Sequence, residues 1–435
     1  MTARPIAYNL VRLVLSAIHN TPRGVDRVDL GYLSSLFETW PGEVYGVLPS
    51  AIGVRIFPRD MVLRGRDRLV KFWNEHGGVA DDAAFEALVE RLARGSGGTG
   101  SDFVNIRSRG PSLFSPRSML RIAQVLLGDG IVLGRSILSL PKDSIYLDIG
   151  HYGITFPGAF KWRRHRPDVA PVFLIHDTIP LDFPHFVAEE TVRAHHRVMK
   201  KVARQARALI VPTASAGETV RQRLADFNAP AIPIHPVPLP IDDLFLAPRP
   251  PNPALQSRPY FVICGAIEPR KNHNLLLDVW DSLVRSQGDA APRLVIAGAP
   301  GFRSEETMMR LADSPHLRDH VIPARGLSSP ALAQVMAGAR ALLMPSFAEG
   351  FGLPPVEAMA LGTPALVSDI PAHRDANGDW ALYRSPTDHA GWKEDILWLS
   401  QDSERYLAMK ARLRNFRPAN WTSYMAEIGR ILQDV

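Results

Sequence analysis

Two glutamates separated by seven residues bracket a glycine-containing turn in the second half of the chain. Glu349 precedes the turn, and Glu357 follows it within a predicted helix that begins at about Pro354. The residues at the start of the turn are Gly350, Phe351, Gly352 and Leu353. An apolar run predicted as a buried strand ends just before them, so backbone N–H groups at a helix N-terminus would face the carboxyl edge of a sheet. Such an edge binds phosphate, and two carboxylates beside it suit the vicinal hydroxyls of a sugar and a ribose.

A second segment has the same order of elements. The apolar run Tyr260–Cys264, predicted as a strand, leads into Gly265, and Arg270 and Lys271 follow before a predicted helix. Gly265 would let a ligand approach the backbone, and the two cations would neutralise a diphosphate. Structural interpretations stay open: a surface basic pair for Arg270 and Lys271, and for Glu357 an acid that favours its helix dipole by about 0.3–1 kcal/mol.

The first half of the chain contributes two further candidates. His176 follows the apolar run that begins at Phe173, at the carboxyl end of a predicted strand, where ligands of α/β proteins bind. A core histidine bonded to backbone is the alternative interpretation. Arg23 and Gly24 lie in the connection between the first predicted strand and the first predicted helix, a position that suits an acceptor or a phosphate.

A regular alternation of strands and helices positions these segments. In the second half, apolar β-type runs are separated by helical patterns of about 10–15 residues, which predicts a parallel, doubly wound sheet. These runs are Tyr260–Cys264, Leu294–Ala297, His320–Pro323, Ala341–Met344 and Pro364–Val367. The first half shows a less regular pattern of the same kind, with candidate strands at Ala7–Val14, Val44–Leu48, Ser144–Ile149, Pro171–Ile175 and Ala208–Pro212.

The length of the chain indicates two domains. Its 435 residues exceed one ordinary core and suit two domains of roughly 200 residues each. Prolines crowd the segment from Pro248 to Pro253, which cannot supply the backbone donors that a helix or a sheet needs. We therefore expect an N-terminal domain over residues 1–245, a proline-rich linker over 246–258 and a C-terminal domain over 259–417. The predicted fold class is α/β, with two Rossmann-like doubly wound domains and a cleft between them.

The composition, 46% hydrophobic and 22% charged, is typical of a soluble globular protein. Arg12 interrupts the apolar start of the chain and no cleavage site follows, so we expect a cytoplasmic protein. The single cysteine, Cys264, excludes an internal disulfide and a cysteine-rich zinc site. The net charge of +6 indicates a mild attraction to anionic partners. The basic run at residues 161–166 fits either a peripheral contact with an anionic membrane, on the inner face of the plasma membrane, or a solvated loop.

Several chemistries lack their motifs in this sequence. It contains no Gly-x-x-x-x-Gly-Lys-Ser/Thr, no His-Glu-x-x-His and no Asp-x-Asp pair. These absences argue against a Walker-type nucleotidase, a zincin and a metal-chelating sugar-transferase site. We therefore expect a site that requires no metal.

Together these segments resemble the family-4 (group 1) retaining glycosyltransferases of the GT-B fold. The resemblance rests on the two glutamates with their glycines and on the strand-Gly-x-x-x-x-Arg-Lys pattern, and it extends over about residues 260–379. It implies a nucleotide-sugar donor, a glycan or lipid-linked acceptor, and neither a cofactor nor a nucleic-acid partner. It also implies that a C-terminal helix, at about residues 418–435, packs back on the N-terminal domain. The family often has paired glycines in its first strand-to-helix loop, where this chain has only Gly24.

The resemblance also implies roles for individual residues. Glu357 would hold the donor ribose, Glu349 the transferred sugar, and Arg270 with Lys271 the diphosphate, while His176 would approach the sugar from the acceptor domain. The remaining donor contacts would come from Gly265, Gly350, Phe351, Gly352 and Leu353. The implied activity is retaining transfer of a hexose to a lipid-linked oligosaccharide or surface polysaccharide, with GDP-mannose as the first candidate donor and UDP-hexoses next. Another GT-B enzyme, such as a phosphorylase or an epimerase, and a catalytically silent nucleotide-sugar-binding subunit are the alternatives.

Overall fold

The structure is a computed structural model. It describes residues 3–19, 22–50, 52–75, 82–93, 115–128, 133–155, 158–246, 249, 252–256 and 258–435. All statements below concern these residues. The glycine-rich stretch from Gly95 to Gly100, and parts of the predicted linker, lie outside them.

The first half of the chain forms one sheet. Its strands are β1 (Ile6–Asn9), β2 (Val44–Ser50), β3 (Gly53–Pro58), β4 (Arg135–Ser136), β5 (Ile145–Asp148), β6 (Ala170–Leu174), β7 (Ala208–Val211) and β8 (Ile234–Pro236). They lie in the order β4-β3-β2-β1-β5-β6-β7-β8. The strands from β2 across to β8 pair in parallel, and β3 and β4 add an antiparallel edge. The parallel strands therefore end at one common edge, where their connecting loops meet.

The second half forms a fully parallel sheet. Its strands are β9 (Tyr260–Cys264), β10 (Arg293–Ala297), β11 (Val321–Ala324), β12 (Leu342–Met344), β13 (Ala365–Ser368) and β14 (Leu382–Arg384). Their order is β11-β10-β9-β12-β13-β14, with every pairing parallel. The strand order reverses between β9 and β12, and α/β proteins bind ligands in the crevice at such a reversal.

Helices cover both sheets. In the first half they are α1 (Val11–Ser16), α2 (Gly24–Thr39), α3 (Arg59–Glu75), α4 (Ala83–Ala93), α5 (Pro116–Leu127), α6 (Tyr152–Thr155), α7 (Ile179–Asp182), α8 (Glu189–Gln205), α9 (Ala214–Ala225) and α10 (Asp243–Leu246). In the second half they are α11 (His273–Gln287), α12 (Glu305–Asp313), α13 (Pro315–His320), α14 (Ser329–Gly338), α15 (Leu353–Ala360), α16 (Pro371–Asn377), α17 (His389–Leu399), α18 (Glu404–Leu413) and α19 (Trp421–Asp434). Short 3-10 turns occur at Ile137–Ser139, Lys161–Arg164, Pro184–Phe186, Pro253–Leu255, Pro269–Lys271, Gly288–Ala290 and Gly378–Trp380.

The central strands are apolar because helices cover both of their faces. Every residue of β5, β6 and β9 is buried. A strand buried on both faces needs a near-continuous apolar run, whereas a half-exposed strand would alternate. The predicted two-sheet α/β architecture is therefore confirmed, and the runs that indicated it are the cores of the two sheets.

The last helix, α19, packs on the first half of the chain. The Trp421 ring lies against Gly31 of α2, where a Cβ atom would come within 2.0 Å of the ring. The hydroxyls of Tyr32 and Tyr424 are 2.6 Å apart, in a buried hydrogen bond. The C-terminal segment thus returns to the N-terminal sheet after the second sheet is complete.

Helix α4 connects the halves in the opposite way, because it packs on the second half of the chain. Although it belongs by sequence to the first half, it contacts β11 and the 3-10 turn Pro253–Leu255 of the second half. Its apolar face, with Phe85, Leu88 and Leu92, is buried. The Asp82 carboxylate just before it accepts a hydrogen bond of 2.8 Å from the backbone N–H of Ser328. The helix therefore joins the two halves at a place that the sequence pattern did not indicate.

In the first half, one local prediction was wrong and one element was not predicted. The predicted strand Ala7–Val14 ends at Asn9, and Val11–Ser16 is helix. The Asn9 side-chain oxygen accepts the backbone N–H of Val11 at 2.9 Å and so stabilises the turn between them. The antiparallel hairpin of β2 and β3 was not predicted, because Pro58 and the charged residues around it break the apolar pattern.

Candidate active site

A cleft of about 1020 Å³ lies between the two sheets. Its walls come from the loops after β9 and β12 on one side and from the loops after β1 and β6 on the other. All the predicted site residues line this cleft: Arg23, Gly24, His176, Gly265, Arg270, Lys271, Glu349, Gly350, Phe351, Gly352, Leu353 and Glu357. The structure thus brings together residues that are more than 330 positions apart in the chain.

Glu349 holds both predicted diphosphate-binding cations. Its Oε1 atom lies 2.6 Å from Lys271 Nζ, and its Oε2 atom lies 2.8 Å from Arg270 Nη1. The side chains of Glu349, Arg270 and Lys271 are 8%, 17% and 11% exposed. The three form one buried charged cluster, which excludes the interpretation of Arg270 and Lys271 as a surface basic pair.

The pKa values in this cluster follow from burial and mutual attraction. Burial alone would raise the pKa of the Glu349 carboxyl, but Arg270 and Lys271 outweigh it and hold that pKa well below its usual range. Burial lowers the pKa of Lys271, and the attraction of Glu349 opposes the decrease. Burial would also lower the pKa of Arg270, yet Glu349 and Asp177 raise it. Glu349 is therefore ionised at neutral pH. A second carboxylate, Glu268, lies 3.7 Å from Nη2 of Arg270, so two acids face the two cations.

Tight backbone geometry places these cations beside the sheet edge. Gly265 directly follows β9 with φ of +131°, a conformation that side-chain-bearing residues rarely adopt. A Cβ atom there would lie 3.2 Å from Cε of Lys271. The chain then forms the 3-10 turn Pro269–Lys271 and enters α11 through Asn272, whose amide donates to the backbone oxygens of Pro345 and Pro386 at 3.1 and 2.8 Å. Asn272 thus ties this loop to the loop that follows β12.

The loop after β12 ends in the N-terminus of α15. Gly352 has φ of +89° and precedes Leu353, the first residue of the helix. Phe351 is buried, and Gly350 packs against the first half of the chain, where a Cβ atom would lie 2.4 Å from the backbone oxygen of His176. Pro354 and Pro355 have no N–H, so the backbone donors that this N-terminus can offer to an anion are those of residues 351–353.

Glu357 is almost completely buried and faces the other half of the chain. Its Oε1 atom lies 2.5 Å from Nη2 of Arg27, which is on α2. Its Oε2 atom is buried and has no hydrogen-bond partner among the described residues. Burial raises the pKa of the Glu357 carboxyl, and Arg27 opposes that increase. A merely dipole-stabilising acid would be exposed to solvent, so this burial disfavours the structural interpretation of Glu357.

His176 lies at the carboxyl end of β6, on the wall opposite the cations. Its Nε2 atom lies 2.9 Å from the backbone oxygen of Ile149. Burial and the charge of Arg12 lower the pKa of its imidazole to about 3, so the ring is neutral. Because a carbonyl oxygen can only accept, Nε2 carries the proton and Nδ1 remains an acceptor. The sequence allowed two interpretations of His176, a histidine bonded to backbone and a residue of the ligand cleft. In the structure, His176 has both properties.

Arg23 and Gly24 lie at the N-terminus of α2. The backbone N–H of Arg23 donates to the Asp26 carboxylate at 3.0 Å, and the Arg23 side chain is exposed. A Cβ atom on Gly24 would touch the Leu353 side chain at 3.4 Å. The first loop therefore faces the start of α15 across the cleft.

Three residues near the cleft were missed by sequence reasoning. Arg27 lies one turn into α2 and carries no motif. Arg12 also lines the cleft and pairs with Asp26 at 3.0 Å. His373 is fully buried beside Gly352, and its Nε2 atom has no hydrogen-bond partner among the described residues. Only His373 had a usable signal, since it follows the carboxyl end of β13, the same kind of position that identified His176.

The basic run at residues 161–166 is largely used within the protein. Arg163 donates to the backbone oxygens of Arg166 and Pro167. Arg166 binds Asp168 at 2.6 Å and also donates to backbone oxygens. Lys161 and Arg164 remain exposed. In the described part of the chain, no helix is long and apolar enough to cross a membrane, and no group of His, Cys, Asp and Glu is arranged to hold a metal ion.

The sheet orders and the cleft between them define a protein of the two-domain GT-B class. HepE of Anabaena, solved in complex with UDP and glucose, superimposes on 99% of this chain and 100% of its own with a TM-score of 0.59 at 12% identity. At that identity the likeness establishes the fold alone. Residues 248–416 match the model of the family described as glycosyl transferases group 1. The matched segment contains the second sheet together with the loops that follow β9 and β12.

Two mannosyltransferases are similar in sequence to parts of this chain. The serotype-specific mannosyltransferase WbdA of Escherichia coli is 29% identical over 254 residues, which is 53% of this chain and 30% of WbdA. The O-antigen chain mannosyltransferase RfbU of Salmonella typhimurium is 32% identical over 145 residues, which is 33% of this chain and 38% of RfbU. The match thus covers less than two fifths of either relative.

Proposed function

We propose that this protein is a retaining glycosyltransferase that moves a hexose from a nucleotide sugar to a lipid-linked oligosaccharide or surface polysaccharide. One observation carries the proposal: a single cleft gathers Glu349, Glu357, Arg270 and Lys271 from one sheet and His176 from the other. GDP-mannose is the first donor to test, because WbdA and RfbU are both described as mannosyltransferases.

The charged cluster suits a diphosphate. Arg270 and Lys271 bring two positive charges, and the carboxylates of Glu349 and Glu268 both lie near them. The attraction for a phosphate therefore comes from unused donors on the two cations and not from a net positive charge. A guanidinium has five N–H donors and an ammonium has three, so both cations can keep their contact with Glu349 and still donate to phosphate oxygens. The N-terminus of α15 adds backbone donors and a favourable dipole at the same edge.

The proposed reaction exchanges one bond at the anomeric carbon. The acceptor hydroxyl oxygen bonds to that carbon on the face from which the diphosphate leaves, and the bond from the carbon to the phosphate oxygen breaks. The electron pair stays on the diphosphate, which takes up the hydroxyl proton, so the products are a glycoside and a nucleoside diphosphate. Arg270 and Lys271 stabilise the charge that develops on the leaving group. His176 accepts a hydrogen bond from a sugar hydroxyl at Nδ1 and orients the ring.

Donor binding tests the proposal first. The purified protein is heated in the presence of EDTA with GDP-mannose, UDP-glucose, ADP-glucose or dTDP-glucose, and its melting temperature is recorded. We expect one nucleotide class to raise the melting temperature, and Glu357→Gln to abolish the increase. Glu394→Gln, which changes an exposed glutamate in the middle of α17, is the matched control and should keep the increase. A wild-type protein that no donor stabilises would contradict the proposal.

Product analysis then tests the finer parts. The stabilising donor is incubated with EDTA and membrane-derived lipid-linked glycans, and the anomeric configuration of the product is determined by NMR. Retention and full activity in EDTA are expected. Inversion, or activity that returns only when Mg²⁺ or Mn²⁺ is added, would overturn the retaining, metal-independent mechanism while leaving the transferase proposal intact. Binding of a donor without turnover would favour a silent subunit.

A further inference from the structure

The carboxylate assigned to the donor ribose is held by a residue from the opposite half of the chain. Arg27 extends from α2, and its Nη2 atom lies 2.5 Å from Oε1 of Glu357. The Arg27 side chain is 12% exposed, and its guanidinium carbon lies 5.0 Å from the centre of the Phe245 ring. A guanidinium in contact with a carboxylate on one side and an aromatic ring on the other has a well-defined orientation.

The other oxygen of Glu357 points to a ligand. Oε2 is buried without a hydrogen-bond partner among the described residues, and such an atom carries a large desolvation penalty unless something binds it. Glu357 also lines the cleft between the halves. The Oε1 atom still has a second lone pair, so a carboxylate held by Arg27 can accept two hydroxyl groups.

The electrostatic surroundings of Glu357 show how Arg27 affects the pKa of its carboxyl group. The charged groups that act on it are Arg27 and Asp242, and the buried Cys264 thiol lies nearby. Burial and the nearby Asp242 raise the pKa of the Glu357 carboxyl, whereas Arg27 lowers it. Lys271 is already bonded to Glu349. Arg27 is therefore the cation in direct contact with Glu357, and it opposes the increase of that pKa.

We propose that Arg27 is a positioning residue, which holds Oε1 of Glu357 so that the carboxyl group presents Oε2 to the ribose hydroxyls of the donor. The inference rests on the proposed function, since it assumes a nucleotide donor. It adds that the ribose site is completed by the N-terminal half, so donor binding depends on contact between the two halves. Arg27 itself touches neither the sugar nor the phosphates in this scheme.

Ribose discrimination is the first test. The nucleoside diphosphate that wild-type protein binds best among GDP, UDP and ADP is compared with its 2′-deoxy form by calorimetric titration. In Arg27→Met the Kd of the ribose form should rise by about tenfold to a hundredfold, as expected when a charge-assisted contact is lost. The Kd of the deoxy form should change much less, so the preference for ribose is lost. Equal weakening of both forms, or an unchanged preference, would overturn the proposal.

The pH dependence is the second test, and a merely structural role would not alter it. Wild-type affinity should fall as Glu357 becomes protonated at low pH. In Arg27→Met the fall should begin at a higher pH, because the carboxyl has lost its cation, and Arg27→Lys should restore the wild-type midpoint. A midpoint that is the same in all three proteins would contradict the inference. If Arg27→Met does not fold, Arg27→Gln, which keeps a neutral donor, replaces it in both tests.

A matched control distinguishes an effect at the ribose site from the general effect of losing an ion pair. Arg64 is exposed on α3 and pairs with Asp60 one helical turn away, so Arg64→Met removes an arginine ion pair outside the cleft. This variant should bind both nucleotides as the wild type does. Failure of the wild-type protein to bind any nucleoside diphosphate would refute the proposed function itself, whereas wild-type binding with an ineffective Arg27→Met would refute only the role of Arg27.

Discussion

At position 350, even the methyl group of alanine should push the two halves of the protein apart. A Cβ atom at residue 350 would lie 2.4 Å from the backbone oxygen of His176 and 3.0 Å from Cβ of Asp177. Neither neighbour can rotate away, because one is backbone and the other is the first atom of its side chain. Gly350→Ala must therefore be accommodated by movement of the chain.

The size of that movement follows from the distances. Real Cβ atoms essentially never approach another heavy atom closer than 3.0 Å, so the separation must grow by at least 0.6 Å, the difference between 3.0 and 2.4 Å. The same movement would lengthen the hydrogen bond from Thr213 Oγ1 to the Gly350 oxygen from 3.3 Å to about 3.9 Å, which breaks it. Overpacking of this kind destabilises a protein by about 1–3 kcal/mol. A misplacement approaching 1 Å lowers kcat/KM by about tenfold to a hundredfold.

Denaturant unfolding and steady-state kinetics measure the two effects. Gly350→Ala should lower the free energy of unfolding and kcat/KM together. Gly65→Ala is the control: Gly65 is in the middle of α3 with no heavy atom closer than 3.9 Å to its added Cβ, so alanine should stabilise by about 0.5–1 kcal/mol. Wild-type stability and wild-type kcat/KM in Gly350→Ala would refute the steric argument.

Three further predictions concern the fold. Asp82→Ala removes the bond to the Ser328 N–H and should lower the free energy of unfolding by about 1–3 kcal/mol; an unchanged urea midpoint would count against α4 as a link between the halves. Trp421→Ala leaves a cavity against Gly31 and should lower the free energy of unfolding by about 3 kcal/mol in the same assay. An unchanged free energy would show that α19 does not pack on α2. Burial raises the pKa of Asp29 to about 8, so the folded state binds this proton more tightly than the unfolded state and stability falls as pH rises from about 4 to 8. Asp29→Asn should reduce that fall when unfolding is compared at about pH 5 and about pH 8.5, and an identical pH profile would refute the assignment.

The second sheet was predictable because its signals are local. A strand buried on both faces needs an apolar run, and the runs at 260–264, 294–297 and 364–367 coincide with β9, β10 and β13 within one residue. The residue that follows such a strand lies at the carboxyl edge, so Gly265 could be placed at the edge that lines the cleft before its neighbours were known. The same logic placed Glu349 beside the loop after β12.

The first half was less predictable because its strands are partly exposed and its connections are long. Only Ile56 of β3 is buried, and its other residues are half-buried or exposed, so no continuous apolar run marks the antiparallel edge. Helix α4 has an ordinary amphipathic pattern that shows which face is buried and not which sheet buries it. Its partner, β11, is far away in sequence, and only the packed structure identifies it.

By itself, the sequence determined the α/β class, the existence of two sheets, and the residues of the loops after β9 and β12, because strand burial and helix N-termini depend on neighbours within a few positions. The tertiary structure decided which charges meet. It showed Glu349 bound to Arg270 and Lys271, and Glu357 bound to Arg27, 330 positions away. Ion pairs between buried groups depend on distances of a few ångströms in space, and no local pattern encodes how two separately predictable sheets will face each other.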